Sequence, residues 1–143
     1  MRVLFLDDDP DTFSSCARAL QEGGAAEVIV VCKVDEAVRE LQDHPVDLLV
    51  MDLFIPMGSA HRGTLGPRGK EYEEHIEHLG GLVMLDELAR LPRRPMTLLY
   101  TACLDPVVMD LARGQVHGRI RKPASPDVVL RAVLNALDDL RAR

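Results

Sequence analysis

Short apolar runs separated by stretches of helical periodicity constrain this chain more than any other feature. Residues 3–6, 28–31, 46–51 and 96–100 are brief, rich in valine, isoleucine and leucine, and nearly uninterrupted by polar side chains. Strands buried on both faces of a parallel sheet read this way. A fifth short strand-like stretch covers residues 118–121. Between the runs the period changes to that of a helix. Phe13, Cys16, Ala17 and Leu20 share one face before Gly23-Gly24, and Ala37, Val38 and Leu41 share another before Pro45. Residues 82–91, stopped by Pro92, residues 107–111 before Gly114, and residues 128–140 complete the series. Strict β-α alternation, five times over, predicts a doubly wound α/β sandwich with right-handed crossovers and helices on both faces of the sheet.

The length of 143 residues suits one domain with a sizeable core, and a single domain over residues 1–143 is expected. One segment breaks the rhythm. At about residues 57–80 lie Gly58, Gly63, Gly66, Pro67 and Gly69, followed by a polar stretch in which Tyr72, Ile76 and Leu79 recur at helical spacing. Connections in compact domains are usually only a few residues long, so this segment is read as an inserted loop followed by a short amphipathic helix. The formal charge of −6 and the scattering of basic residues, apart from Arg62, Arg68 and Lys70, argue against nucleic-acid binding. No run approaches membrane-spanning length, and the opening apolar run is too short for a signal peptide. Three widely spaced cysteines, Cys16, Cys32 and Cys103, suit reduced thiols. A cytoplasmic protein is expected.

The strand ends carry the chemistry. The first run stops at Asp7-Asp8-Asp9, the third at Asp52, and the fifth at Lys122. In an open parallel sheet these carboxyl ends share one edge, the usual place for a ligand. Clustered carboxylates repel one another unless a cation holds them ionised, and Mg2+ needs only one or two carboxylates, a carbonyl and a phosphate oxygen. Asp8 and Asp52 can supply the carboxylates. Asp52 can then attack a phosphorus atom in line, with Lys122 and the hydroxyl of Thr101 stabilising the transferred oxygens. Taken singly, each residue has a plainer reading. Asp9 or Asp11 is read as a helix cap, Asp52 alone would be a strand-end carboxylate, Thr101 a strand terminus and Lys122 a surface lysine. Their joint placement points to a phosphoryl-transfer site.

Four segments together, Leu6-Asp7-Asp8-Asp9-Pro10, Asp52-Leu53-Phe54-Ile55-Pro56, Leu99-Tyr100-Thr101-Ala102 and Arg121-Lys122-Pro123, resemble the CheY-like receiver domains of bacterial two-component response regulators. They occur in the family's order, and Asp8 and Asp52 lie 44 positions apart, a separation typical of the family. The resemblance implies a five-stranded flavodoxin-like sheet of order 2-1-3-4-5. It makes Asp7 and Asp8 the acidic pair, Asp52 the phospho-acceptor, Thr101 the switch hydroxyl, Lys122 the phosphate-contacting lysine and the Phe54 carbonyl a metal ligand. It implies a cis bond before Pro123, Mg2+ as cofactor, and Phe54 and Cys103 beside the path of attacking water. A histidine kinase or histidine phosphotransfer protein would be the donor and a downstream protein the target. Such a chain is no enzyme beyond its own phosphoryl transfer and dephosphorylation. With its last helix ending about where the chain does, it would act as a stand-alone receiver.

Three departures stand out. Arg119 occupies the position where most receivers carry an aromatic switch residue, and Ala124 replaces a large apolar residue after Lys-Pro. Thr101 follows Asp52 by 49 positions, more than the family's usual spacing, the excess falling in the insertion. The insertion is read first as a partner-specific surface. Its other readings are a lid bringing Arg62, Arg68 or Lys70 to the phosphoryl group, and a metal site from His61, His75 and His78 with Glu71 or Glu74. Two other functions compete with the receiver: a non-phosphorylated interaction scaffold, and a phosphohydrolase of the haloacid dehalogenase type with Asp7 as nucleophile.

Overall fold

A computed structural model describes residues 1–55 and 80–143. Five strands form one parallel sheet in the order β2-β1-β3-β4-β5. They are β1 (Arg2–Leu6), β2 (Glu27–Val31), β3 (Leu48–Met51), β4 (Met96–Thr101) and β5 (Gly118–Arg121). The helices are α1 (Ser14–Glu22), α2 (Val34–Asp43), α3 (Gly80–Ala89), α4 (Pro106–Ala112) and α5 (Pro126–Arg141). This is the expected doubly wound order. The proposed insertion at 57–80 lies almost wholly outside the described residues, as do Arg62, Arg68, Lys70, His61, His75, His78, Glu71 and Glu74. Within the described residues α3 already includes Gly80 and Gly81, ahead of the expected start at 82.

The two-residue period of the strands builds the two layers. Val3 and Phe5 of β1 face one side, with Leu48 and Val50 of β3, Met96, Leu98 and Tyr100 of β4, and the apolar faces of α1 and α5. Leu4, Leu6, Leu49, Met51 and Leu99 face the other, covered by α2, α3 and α4. In the first layer Phe13 stacks on Phe5 with ring centroids 4.3 Å apart and tilts against Tyr100. The central strands are buried on both faces, as predicted. Edge strand β2 is not: Val28, Ile29 and Val30 are only half-buried, because among the described residues no strand covers its outer side.

Helix ends follow local chemistry. Asp9 accepts from the Asp11 amide at 3.1 Å and opens a single 3-10 turn, Pro10–Phe13, that leads into α1. This is the capping role expected for Asp9. Asp105 caps α4 and Ser125 caps α5, each followed by a proline whose missing N–H costs nothing in the first turn. Past α4, Gly114 takes a φ of 83°, a left-handed conformation open to glycine.

Candidate functional site

The sheet continues its hydrogen bonding past the strand ends, and this places the polar residues. The Asp7 amide donates to the Val31 carbonyl at 3.2 Å, that of Asp52 to Leu6 at 3.1 Å, and that of Lys122 to Thr101 at 3.1 Å. Each residue is thus held by the strand beside its own. Parallel strands all deliver their carboxyl ends to the same edge, so side chains far apart in sequence meet there.

Lys122 reaches across this edge and ties two carboxylates together. Its Nζ donates to Asp7 Oδ2 at 2.7 Å and to Asp52 Oδ2 at 2.8 Å, and lies 5.0 Å from the ring centroid of Tyr100. The second oxygen of each carboxylate is also occupied. Asp7 Oδ1 accepts from the Asp9 amide at 2.9 Å and Asp52 Oδ1 from the Phe54 amide at 3.2 Å. Asp7 is fully buried and Asp52 nearly so, while Asp8 is exposed beside them. Burial pushes the Asp7 carboxyl above the usual range, against the lowering pull of Lys122 and the Asp9 amide. Burial draws Lys122 down, but its bonds to Asp52 and Asp7 outweigh this and hold the ammonium above its ordinary value.

Carboxylate oxygens of Asp7, Asp8 and Asp52 all lie within 4.8 Å of one another. With all three ionised, three negative charges face, among the described residues, the single ammonium of Lys122, an excess matching one divalent cation. The donor set is all oxygen, as Mg2+ prefers. These residues therefore fit the cofactor that the sequence implies.

Thr101 is fully buried at the end of β4, and its Oγ1 accepts from the Cys103 amide at 3.2 Å. A hydroxyl that accepts in this way keeps its own proton to donate. Arg119, on edge strand β5, turns its guanidinium to the Cys103 carbonyl at 2.6 Å. One residue of the β4–α4 loop is therefore gripped on both sides. Sequence reasoning singled out Thr101 and Arg119 but not the Cys103 backbone between them, because a contact between adjacent strands leaves no local signal. Phe54, whose carbonyl is a candidate metal ligand, sits in the loop after β3 and is 39 % exposed, whereas Cys103 is buried. The Lys122-Pro123 bond is cis, as expected.

No known family's sequence model matches the chain, and no curated protein matches it in sequence. Solved structures do match in shape. A CheY-like response regulator receiver domain protein from Methanospirillum hungatei JF-1 is 18 % identical with a TM-score of 0.70, over 99 % of this chain and 96 % of its own. A response regulator from Thermotoga maritima is 20 % identical with a TM-score of 0.67, over 96 % of this chain and 97 % of its own. The signal receiver domain of a LuxO repressor protein from Vibrio parahaemolyticus is 17 % identical with a TM-score of 0.68, over 99 % and 92 %. At such identities the likeness is one of fold: the chain has the flavodoxin-like fold of response-regulator receiver domains.

Proposed function

We propose that this chain is a signalling receiver that accepts a phosphoryl group on Asp52. The observation that carries the reading is the Lys122 ammonium shared between Asp7 and Asp52, inside a cluster of three carboxylates at the carboxyl edge of the sheet.

An oxygen of Asp52 forms its bond to phosphorus as the bond from phosphorus to the donor breaks, and the donor leaves with the electron pair. Lys122 stabilises the charge on the transferred oxygens, and Thr101 offers its hydroxyl proton to one of them. Asp7, Asp8, Asp52 and the Phe54 carbonyl are the groups that would hold Mg2+. When bound, the cation neutralises charge that would otherwise oppose an incoming phosphate. In this reading the chain catalyses only its own phosphoryl transfer and dephosphorylation and acts as a signalling element.

The donor would be a histidine kinase or histidine phosphotransfer protein, and the output a contact with a downstream protein. Thr101 and Arg119 form the switch: a pull on the threonine hydroxyl moves the Cys103 amide, and with it the carbonyl that Arg119 holds. The phosphohydrolase alternative has less support, because Asp9, which it would use as its second carboxylate, is engaged in capping. The test is intact mass after incubation with Mg2+ and acetyl phosphate. One added phosphoryl group is expected in the wild type and none in Asp52→Asn; an unmodified wild type with Mg2+ bound would contradict chemical competence for transfer.

A further inference from the structure

Gly80 and Gly81 are both helical in α3, although glycine is among the poorest helix formers. Residues that break a local rule often answer to a site elsewhere. Here the neighbour is the loop after Asp52. The Gly81 amide donates to the Leu53 carbonyl at 3.1 Å, and the Gly80 amide to the Ile55 carbonyl at 2.9 Å. The Leu53 carbonyl also accepts from the Ile55 amide at 3.2 Å. A Cβ on Gly81 would lie 2.5 Å from the Leu53 Cα and 2.7 Å from the Asp52 carbonyl oxygen. Both are backbone atoms with no side-chain freedom to yield. A Cβ on Gly80 would meet the Ile55 carbonyl at 2.4 Å.

The Leu53 carbonyl and the Phe54 amide belong to one peptide unit. That unit is planar and trans, so fixing the direction of its C=O fixes the direction of its N–H. The carbonyl end is fixed by Gly81, and the amide end holds Asp52 Oδ1 at 3.2 Å. We propose that Gly81 is a positioning residue for the acceptor: through the Leu53–Phe54 peptide plane it sets the orientation of the Asp52 carboxylate. Glycine is required because any side chain would displace that peptide. Gly80 holds the Ile55 carbonyl, so the carbonyls of the residues on either side of Phe54 are both anchored on α3.

The inference rests on Asp52 being the acceptor, and the test separates the two claims. Acetyl phosphate labelling with Mg2+ is followed by intact mass in the wild type, Gly81→Ala and Gly118→Ala, with far-UV circular dichroism recorded on each. Gly118 is the control, since its Cβ would meet only the flexible Leu98 Cδ2, at 3.1 Å. Folded Gly81→Ala is expected to label at least tenfold more slowly than the wild type, and Gly118→Ala at the wild-type rate. Failure of the wild type to label overturns the acceptor reading on which the inference rests. A labelled wild type with folded Gly81→Ala within twofold of it overturns the positioning role alone. If Gly81→Ala does not fold, the wild type decides. Loading Asp52 with beryllofluoride and Mg2+ is expected to shift the Gly81 amide resonance while leaving that of Gly24 in place, and an unmoved Gly81 amide contradicts the proposal.

Discussion

Lys122 is the residue on which the site's electrostatics turn. It is the partner of two buried carboxylates, and a carboxylate left in that setting with no cation is costly. Lys122→Met should therefore lower stability by about 3–5 kcal/mol in the absence of divalent ions. Magnesium should restore more of the thermal midpoint in this variant than it adds to the wild type, because the ion replaces a missing charge. An unchanged midpoint without magnesium would mean that the ammonium contributes nothing net. Arg119 makes a different prediction. It touches neither Asp7 nor Asp52 among the described contacts, so Arg119→Gln should label at the wild-type rate. Hydrogen exchange of the Cys103 region should, however, respond less to phosphorylation. A full response would place the switch elsewhere.

At the scale of elements, the layer formed by α1 and α5 is a closed apolar packing. Phe13 is fully buried against Phe5 and Tyr100, and Phe13→Ala should cost about 3–5 kcal/mol, read from denaturant unfolding. Cys16 of α1 lies in the same layer, where burial pushes its thiol from 9.0 up to about 11. The unfolded chain loses this proton first as pH rises, so between these values the native state binds more protons. The contribution of Cys16 is complete below pH 9 and is lost from there to about pH 11, on the order of 3 kcal/mol. Cys16→Ala should flatten that alkaline limb of the stability profile, and an identical limb would assign it to other groups. Strands and helices of this kind were legible in the sequence because their periods are local: Val3 to Leu6 and Leu48 to Met51 announce buried strands without any partner in view. The half-burial of β2 was not, since being at an edge is a property of strand order. The helical conformation of Gly80 and Gly81 was hidden for a related reason. Two glycines read as loop until the loop they press against is known.

For the whole molecule, topology turns separate strand ends into one site. Order β2-β1-β3-β4-β5 sets β1 between β2 and β3, which brings Asp7 and Asp8 beside Asp52, and puts β5 next to β4, which carries Lys122 in past Thr101. The opposite edge of the sheet is fastened differently. Asp47 accepts from the Arg2 amide and from the Arg93 guanidinium, both at 2.8 Å. The acidic cluster could be foreseen from Asp7, Asp8, Asp52 and Lys122, each ending an apolar run. The roles of the Cys103 backbone and of Gly81 could not, because both act through peptide groups that every residue possesses. The central claim is that Asp52, and not Asp7, carries the phosphoryl group. It is tested most directly by labelling with acetyl phosphate and Mg2+, reducing the acyl phosphate with borohydride, and sequencing the peptides by mass spectrometry. Homoserine at position 52 with position 7 unchanged is the predicted result; homoserine at position 7 would contradict it and return the phosphohydrolase reading.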